Sequence, residues 1–423
     1  MQMNIIFRLQ QRKMGYMQRR KFLESIIIAQ SLITFQTTLK GASSSTDYWL
    51  EIRNQFPICK TDHINLNNGS CGMTPLVVEE SLFQLSKEMN RTPPYIKNEM
   101  WKEQMETNLS KLADLIGVEA SGLSITRNTT ESLQWLIDGI MLPKNSIVVC
   151  ANHDYSLAVN ALKCKSVNSG LEIRKIDLEL PLGSEDIISA YKNAIDDNCS
   201  LVLLTAMTHR EGHRMPIKEI TEIAHEKGAK VLVDGAHCIG HYDHNVRDWN
   251  CDYYATSLHK WFNGPHGSGL LYIKESEMDQ IEGPLAADIN TKTSKKKFEY
   301  LGTRAFYIEA SIQAALSFNE EIGIKNKYLR LSSLNQYWTE NATKMDGVNV
   351  TRCKDSGGIA LLSIDGFSGS TLRDKFKENK IYVKSVSSKA KKKSSLRITP
   401  GIYTNYDDLN YFIENLEKIV KER

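Results

Sequence analysis

The sequence predicts an α/β protein in which a three-layer, mostly parallel sheet is followed by a smaller α+β domain. From about residue 75, stretches of helical spacing alternate with short apolar runs rich in β-branched residues. Continuous apolar strands separated by helices are typical of a parallel sheet that is covered on both faces. Beyond about residue 300 the pattern changes to long helices and a few short strands. A chain of 423 residues is long enough for both units.

The large region begins with helices and continues with strands. Residues 75–91 and 101–117 place apolar side chains at helical spacing. Four later runs are predicted strands: Ser146–Cys150, Leu171–Leu178, Leu201–Ala206 and Lys230–Asp234. Before the last of these, Pro216 begins a helix and Gly228 ends it. Ligands of such sheets bind beyond the carboxyl ends of the strands, so residues just after these runs are candidate site residues.

The second region starts with residues 305–345, which are predicted to be mainly helical. Shorter elements follow, and we expect strands at Val348–Val350, Ile359–Ile364 and Leu396–Ile398 and helices at Ser370–Glu378 and Asp407–Lys421. The predicted organisation is therefore an N-terminal extension at residues 1–45, a large domain at residues 46–300 that begins with an entry segment, and a small C-terminal domain at residues 301–423.

The first 45 residues, which we take as a targeting segment, differ from the rest of the chain in charge. Residues 1–45 carry seven basic residues and one acidic residue, which leaves 46 basic and 49 acidic residues in the body. A mildly acidic body does not favour nucleic-acid binding. Arg19 and Arg20 precede a moderately apolar run, which resembles a twin-arginine export signal. We expect export by the twin-arginine machinery to a periplasmic or membrane-anchored location. A basic amphipathic helix on a cytoplasmic protein is the alternative.

The cysteines indicate a protein that folds in a reducing compartment. There are eight of them, none in a CxxC pair, and several lie in apolar runs where a thiol packs as a small hydrophobic group. A folded protein with reduced cysteines is a suitable cargo for the twin-arginine route.

Lys260 is the central candidate. A predicted strand (CDYYATS) leads into it, and a return containing Gly264, Gly267 and Gly269 leads out into another strand. A lysine held in a tight loop beside Trp261 suits an amine of lowered pKa that forms a Schiff base. Alone, the same pattern also fits a surface lysine near a turn.

Three further features follow strands or begin helices. Asp234 ends an apolar strand, where a carboxylate needs a partner such as a pyridinium nitrogen. Thr129 and Thr130 begin a helix, which suits a phosphate site, although a simple capping box gives the same pattern. Tyr155 and His153 follow the strand IVVC, and an aromatic ring there can stack on a cofactor. Each feature alone is weak, whereas their order and spacing fit one cofactor site.

This arrangement resembles the class V aminotransferase group of fold-type I pyridoxal 5′-phosphate (PLP) enzymes. The motifs VDGAH and SLHKW are the most specific matches, and LNNGSCGMTP is similar to the group's N-terminal segment. The resemblance extends over residues 60–410, and the isopenicillin N epimerase-like branch is the most similar. It implies that Lys260 carries PLP and moves a proton at the substrate Cα, and that Asp234 holds the pyridine nitrogen protonated.

The resemblance also implies roles for the surrounding residues. His237 would approach the phenolic oxygen of PLP, and Tyr155 would stack on the ring, with His153 as the less favoured alternative. The phosphate would be bound by Thr129, Thr130, Ser257 and His259. Gly302 and Thr303 would reach the phosphate of the neighbouring subunit, which implies a homodimer with shared active sites. Substrate contacts would come from Arg397, which suits a carboxylate, and from Asn68 and His209.

Two departures from the group's pattern bear on the reaction. His209 lies in THREG, where relatives carry small hydroxyl residues and proline. Residues 365–396 contain no cysteine, whereas cysteine desulfurases carry a nucleophilic cysteine shortly before the arginine that matches Arg397. The sequence therefore favours an aminotransferase or an epimerase-like enzyme acting on an amino acid or another small amine, places a C–S or β-elimination lyase third, and disfavours a desulfurase.

Two alternatives belong to other classes of protein. The run HCIGHYDH contains His237, His241 and His244 and could be taken for a metal site, but its spacing fits no common zinc motif and we predict no metal. A non-catalytic protein that binds PLP is the other alternative.

Overall fold

The computed structural model describes residues 45–60, 62–284, 289–388 and 393–423. The predicted targeting segment, apart from Ser45, lies outside these residues. No helix within the described ranges is long and apolar enough to cross a bilayer.

A seven-stranded sheet forms the centre of the large domain. Its spatial order is β2-β8-β7-β6-β5-β3-β4, and only β8 runs antiparallel to its neighbours. The strands are β2 (Leu123–Thr126), β3 (Ile147–Ala151), β4 (Glu172–Ile176), β5 (Cys199–Thr205), β6 (Lys230–Asp234), β7 (Tyr253–Ser257) and β8 (Gly269–Ile273). The predicted α/β class and mostly parallel sheet are confirmed.

Helices cover both faces of this sheet. Alternate residues of a strand enter different cores: Val149 joins the core of one face, and Val148 and Cys150 join that of the other. The helices of this region are α1 (Ser45–Asn54), α2 (Leu76–Arg91), α3 (Pro94–Ile116), α4 (Thr129–Gly139), α5 (Ser156–Ser169), α6 (Ser184–Ala194), α7 (Ile217–Glu226) and α8 (Val246–Trp249). Apolar strands buried on both sides are the reason that the sequence pattern predicted three layers.

The C-terminal region contains a four-stranded antiparallel sheet in the order β12-β13-β10-β9. Two long helices precede this sheet, and Gly323, with φ of 77°, separates them. The elements are α9 (Phe306–Ile322), α10 (Ile324–Ala342), β9 (Val348–Thr351), β10 (Ala360–Ile364), α11 (Gly369–Glu378), β11 (Ile381–Tyr382), β12 (Lys384–Ser388), β13 (Lys393–Ile398) and α12 (Tyr406–Lys421).

The N-terminal segment of the large domain, which contains the run LNNGSCGMTP, packs against the C-terminal region. The short strand β1 (Ile64–Asn65) pairs in parallel with β11, and Leu66 is fully buried in the core of the small domain. Asn67 also bridges to Thr399. The sequence did not predict this pairing, because an isolated two-residue strand gives no sequence signal of its partner. The domain boundaries stay predictions.

Candidate functional site

The site lies at the carboxyl edge of the large sheet. Strand β6 ends at Asp234, which is in register with Thr205 at the end of β5 and with Ala255 in β7. Because parallel strands end at the same edge, side chains that are far apart in sequence meet there. Residues of the N-terminal segment and of β13 approach the same place from the small domain.

Lys260 lies on the loop that leaves β7, as the sequence predicts. Its Nζ is 3.4 Å from His237 Nε2. Burial lowers the pKa of Lys260 to about 8, although Asp234 favours the charged form. The loop runs close to the N-terminal segment, since a Cβ on Gly72 would come within 2.0 Å of the Lys260 backbone oxygen.

Asp234 is buried at the end of β6, and its Oδ1 accepts a hydrogen bond from the Ala236 backbone N–H at 3.0 Å. Burial raises the pKa of this carboxyl group to about 6. Nearby, Asp154 accepts the Thr205 hydroxyl at 2.7 Å. A carboxylate in this setting suits a protonated ring nitrogen as its charged partner.

Hydroxyl and backbone groups at the start of α4 form a cradle. Asn128 caps the helix by accepting from Glu131 N–H at 2.9 Å. The Thr129 backbone N–H donates to Ser257 Oγ at 3.0 Å, and the two hydroxyls lie 2.6 Å apart. Thr130 is exposed in the same turn. Helix N-termini with hydroxyl groups attract phosphate, so the geometry fits the predicted role of this cradle.

His259 lies beside the loop that returns to β8. Its Nδ1 donates to Ser268 O at 3.1 Å, so Nε2 is the ring nitrogen that could face a phosphate. Burial lowers the pKa of His259 to about 4. Its predicted contact with the phosphate stays a prediction.

Arg397 projects from β13 and joins three parts of the site. It is 4 % exposed and donates to His209 O at 2.9 Å, to Asn67 Oδ1 at 3.1 Å and to Ser70 Oγ at 2.6 Å. Burial lowers the pKa of this guanidinium to about 10. A buried cation whose described partners are all neutral oxygens is suited to a carboxylate ligand.

Several buried polar atoms here have no hydrogen-bond partner among the described residues. They are both ring nitrogens of His153, both amide atoms of Asn68, Nδ1 of His209 and Nε of Arg397. Buried polar groups without partners are costly in a finished core. Together with the Thr129 cradle and the Asp234 carboxylate, these donors and acceptors fit a polar, phosphorylated ring cofactor and its substrate.

The structure separates the two candidates for stacking on the ring. His153 is 1 % exposed, and burial lowers its pKa to about 4. Tyr155 is 36 % exposed, and its ring meets that of His209 edge to face at a centroid distance of 5.9 Å. Burial therefore favours His153, the alternative assignment, as the stacking residue, and Tyr155 as a residue at the mouth. Both roles stay predictions.

Gly302 and Thr303 are both exposed in the single chain. No atom comes within 4 Å of a Cβ built on Gly302, whose φ is 66°. Their predicted reach into a neighbouring subunit stays a prediction.

The other histidines of HCIGHYDH are used inside the fold. His241 Nδ1 donates to His237 O, and its Nε2 accepts Gly358 N–H at 2.9 Å. His244 Nδ1 donates to Tyr242 O, and its Nε2 lies 3.1 Å from the Tyr254 hydroxyl. Their ring nitrogens therefore already have partners, and no metal-type cluster of His, Cys, Asp or Glu occurs within the described ranges.

Sequence reasoning missed two residues that support Lys260. The Trp261 indole donates to His237 Nδ1 at 3.0 Å. Lys327, fully buried in α10, donates to Trp261 O and to Asn263 Oδ1. The sequence shows that Trp261 follows Lys260. Its spacing gives no indication that Trp261 contacts Lys327, which lies 66 positions further along the chain.

Comparison with known proteins agrees with this geometry. The profile of the aminotransferase class-V family matches residues 65–412. Among similar proteins, the hercynylcysteine sulfoxide lyase of Schizosaccharomyces pombe is 23 % identical over 56 % of this chain and 60 % of its own length. A probable cysteine desulfurase of Methanothermobacter thermautotrophicus is 25 % identical over 70 % and 76 %. The isopenicillin N epimerase of Streptomyces clavuligerus is 25 % identical over 65 % and 73 %.

Solved structures share the fold over nearly the whole chain. A lysine-to-alanine mutant of C-DES, with glycine covalently linked to its PLP cofactor, superposes with a TM-score of 0.79 at 20 % identity, over 86 % of this chain and 98 % of that one. The expected fold type I architecture is therefore confirmed, and the cofactor is PLP. With its family profile spanning both domains, the chain belongs to the class V aminotransferase family of PLP-dependent enzymes.

Proposed function

We propose that this enzyme cleaves the Cβ–S bond of a sulfur-bearing amino acid by β-elimination. The observation that carries the proposal is that Lys260, whose pKa burial lowers to about 8, faces the site from the loop after β7 and can act as a base at Cα. Elimination needs one base at Cα and a leaving group at Cβ. When bound, PLP supplies an electron-withdrawing ring that stabilises negative charge at Cα.

The residues around Lys260 can orient such a substrate. The Arg397 guanidinium and the Asn68 amide, with their buried unpartnered atoms, would hold the substrate carboxylate. Asp234 would keep the pyridine nitrogen protonated, and the Thr129–Ser257 pair would fix the phosphate. Lys260 would then remove the Cα proton. The balanced reaction converts an S-substituted cysteine and water into a thiol, pyruvate and ammonium.

Burial disfavours epimerisation, which ranked higher on sequence alone. Inverting Cα needs a second acid on the opposite face, and we consider His209 and Tyr155 for this role because their rings contact each other beside Arg397. Burial lowers the pKa of His209 to about 3, so its ring is neutral and a poor proton donor at neutral pH. Tyr155 lies at the exposed mouth. The similarity to a hercynylcysteine sulfoxide lyase supports C–S cleavage over transamination.

The test uses purified enzyme with L-cysteine, an S-alkyl-L-cysteine and L-alanine, with product analysis and Lys260→Ala as the control. We expect pyruvate and ammonium in equal amounts from both sulfur substrates, with an equal amount of hydrogen sulfide from L-cysteine and of thiol from the S-alkyl-L-cysteine, and none of these products from the variant. A keto acid that retains sulfur would show transamination, alanine would show desulfurase chemistry, and inversion without products would show epimerisation. Each of these outcomes would overturn the proposal.

A further inference from the structure

The ring of His237 has a different partner on each nitrogen. Its Nδ1 faces the Trp261 indole Nε1 at 3.0 Å, and its Nε2 faces Lys260 Nζ at 3.4 Å. The ring is buried, so water does not compete for either position. Of the two contacts, the one with Trp261 has an unambiguous donor, so it determines where the imidazole proton resides.

We propose that Trp261 is a positioning residue that fixes His237 in the tautomer with its hydrogen on Nε2. An indole N–H is a donor and has no acceptor lone pair in the ring plane. Nδ1 must therefore accept, and a neutral imidazole then carries its only hydrogen on Nε2. His237 then carries its N–H donor on the edge of the ring that faces the Lys260 side of the site, where the family resemblance expects the phenolic oxygen of PLP.

The reverse ring orientation is unfavourable. Turning the ring by half a turn would place Cδ2 opposite the indole N–H and Cε1 opposite Lys260. The buried indole N–H would then lose its acceptor, which is unfavourable because a buried donor without a partner is not compensated by water. In the observed orientation, the indole N–H of Trp261 has His237 Nδ1 as its acceptor.

Neighbouring groups hold Trp261 in place. The His241 ring stacks on the indole at a centroid distance of 3.9 Å and an interplanar angle of 13°. Lys327 in α10 donates to the Trp261 carbonyl oxygen. His241 donates to the His237 carbonyl oxygen and not to its ring. Only Trp261 among these residues contacts Nδ1, so it alone can set the tautomer.

The inference rests on the family's cofactor and not on the proposed lyase reaction. It is tested by ¹⁵N NMR of the PLP-loaded enzyme labelled at histidine and tryptophan, with His237→Gln to assign the His237 signals. In the wild-type enzyme we expect a protonated Nε2, an unprotonated Nδ1, and a scalar coupling across the hydrogen bond from indole Nε1 to Nδ1. This measurement needs no folded Trp261 variant.

Trp261→Phe retains an aromatic ring against His241 but removes the N–H donor. In this variant we expect both His237 tautomers to be populated, so that the two nitrogen shifts converge. His241→Phe is the matched control and should leave the His237 tautomer unchanged. A wild-type Nδ1–H tautomer, an imidazolium, or equal changes in both variants would overturn the assignment to Trp261.

Discussion

At the scale of single residues, the surroundings of Lys260 set its chemistry. The ordinary pKa of a lysine is 10.5, and burial near Arg397 brings that of Lys260 to about 8. Asp234 opposes this shift but does not cancel it. An amine with this pKa is substantially neutral in mildly alkaline solution, which is the form that attacks the PLP aldehyde and that removes a proton.

This pKa predicts how the apoenzyme takes up PLP. The neutral fraction of Lys260 is one half at a pH of about 8, so the initial rate of uptake should rise through this pH and level off about one pH unit above it. The visible absorbance of lysine-bound PLP, followed by stopped flow, measures the rate. Lys260→Ala should show no such band. A rate that keeps rising toward pH 10 would contradict the lowered pKa.

Sequence reasoning found residues that follow strands but not contacts between distant segments. Lys260, Asp234 and Thr129 stand beside clear strand or helix boundaries, and the structure brings them to one edge. The choice between His153 and Tyr155 depends on which side chain points inward, which a turn after a strand does not reveal. The contacts of Trp261 and Lys327 depend on how α10 packs, and local spacing holds no information about that.

At the scale of elements, the N-terminal segment and the Lys260 loop fit closely together. Gly72 N–H donates to His259 O at 2.8 Å, and Asn263 Nδ2 donates to Met73 O at 2.9 Å. The approach at Gly72 leaves no space for a side chain. A segment anchored to the small domain therefore also supports the loop that carries Lys260.

Gly72→Ala should separate these two elements. The added methyl group would contact the Lys260 backbone, and we expect a loss of about 2 kcal/mol in the free energy of unfolding, together with weaker PLP retention. Urea unfolding and PLP dialysis measure the two effects. Gly183→Ala is the control, because its φ is −65° and the nearest atom to an added Cβ is 3.4 Å away. Equal, small effects in both variants would contradict the close fit.

The elements themselves were predictable to different degrees. Strand β6 has the predicted span of Lys230–Asp234, because its three apolar residues stand between two charged residues at the strand ends, and turns follow on both sides. Strand β2, with the sequence LSIT, was not predicted, since two polar residues in four give little apolar signal. Ser124 and Thr126 are nevertheless buried, and Thr126 shares a 2.7 Å hydroxyl contact with Ser132. Tertiary hydrogen bonds of this kind override local propensity.

At the scale of the whole molecule, we propose a homodimer in which Gly302 and Thr303 complete the neighbour's phosphate site. Both residues are exposed in the single chain, and the resemblance to the family assigns them to the neighbour's phosphate. A loop that serves the partner's site would explain this exposure.

Subunit mixing tests the shared site. Lys260→Ala and Thr303→Ala chains should each be inactive or impaired alone, the second because it loses a phosphate contact. In a mixed dimer, one site receives both substitutions and the other receives neither, so co-expression should restore activity. Co-expression without recovery would contradict the shared site. Light scattering on the wild-type protein gives the oligomeric state independently.

We also propose that residues 1–45 direct export by the twin-arginine route. Replacement of Arg19 and Arg20 by lysine preserves charge but removes the paired arginines. In a bacterium with this machinery, the wild-type segment fused to a folded reporter should deliver it to the periplasm, and the lysine variant should not. Fractionation measures the outcome, and export of both fusions, or of neither, would contradict the proposal.

The central claim is that Lys260 is the amine that carries PLP. Reduction of the holoenzyme with borohydride fixes the cofactor to that amine, and peptide mass mapping then locates it. We predict a single phosphopyridoxyl group on the peptide that contains Lys260, and none in Lys260→Ala. A label on another lysine, or no label after reconstitution with PLP, would contradict the account.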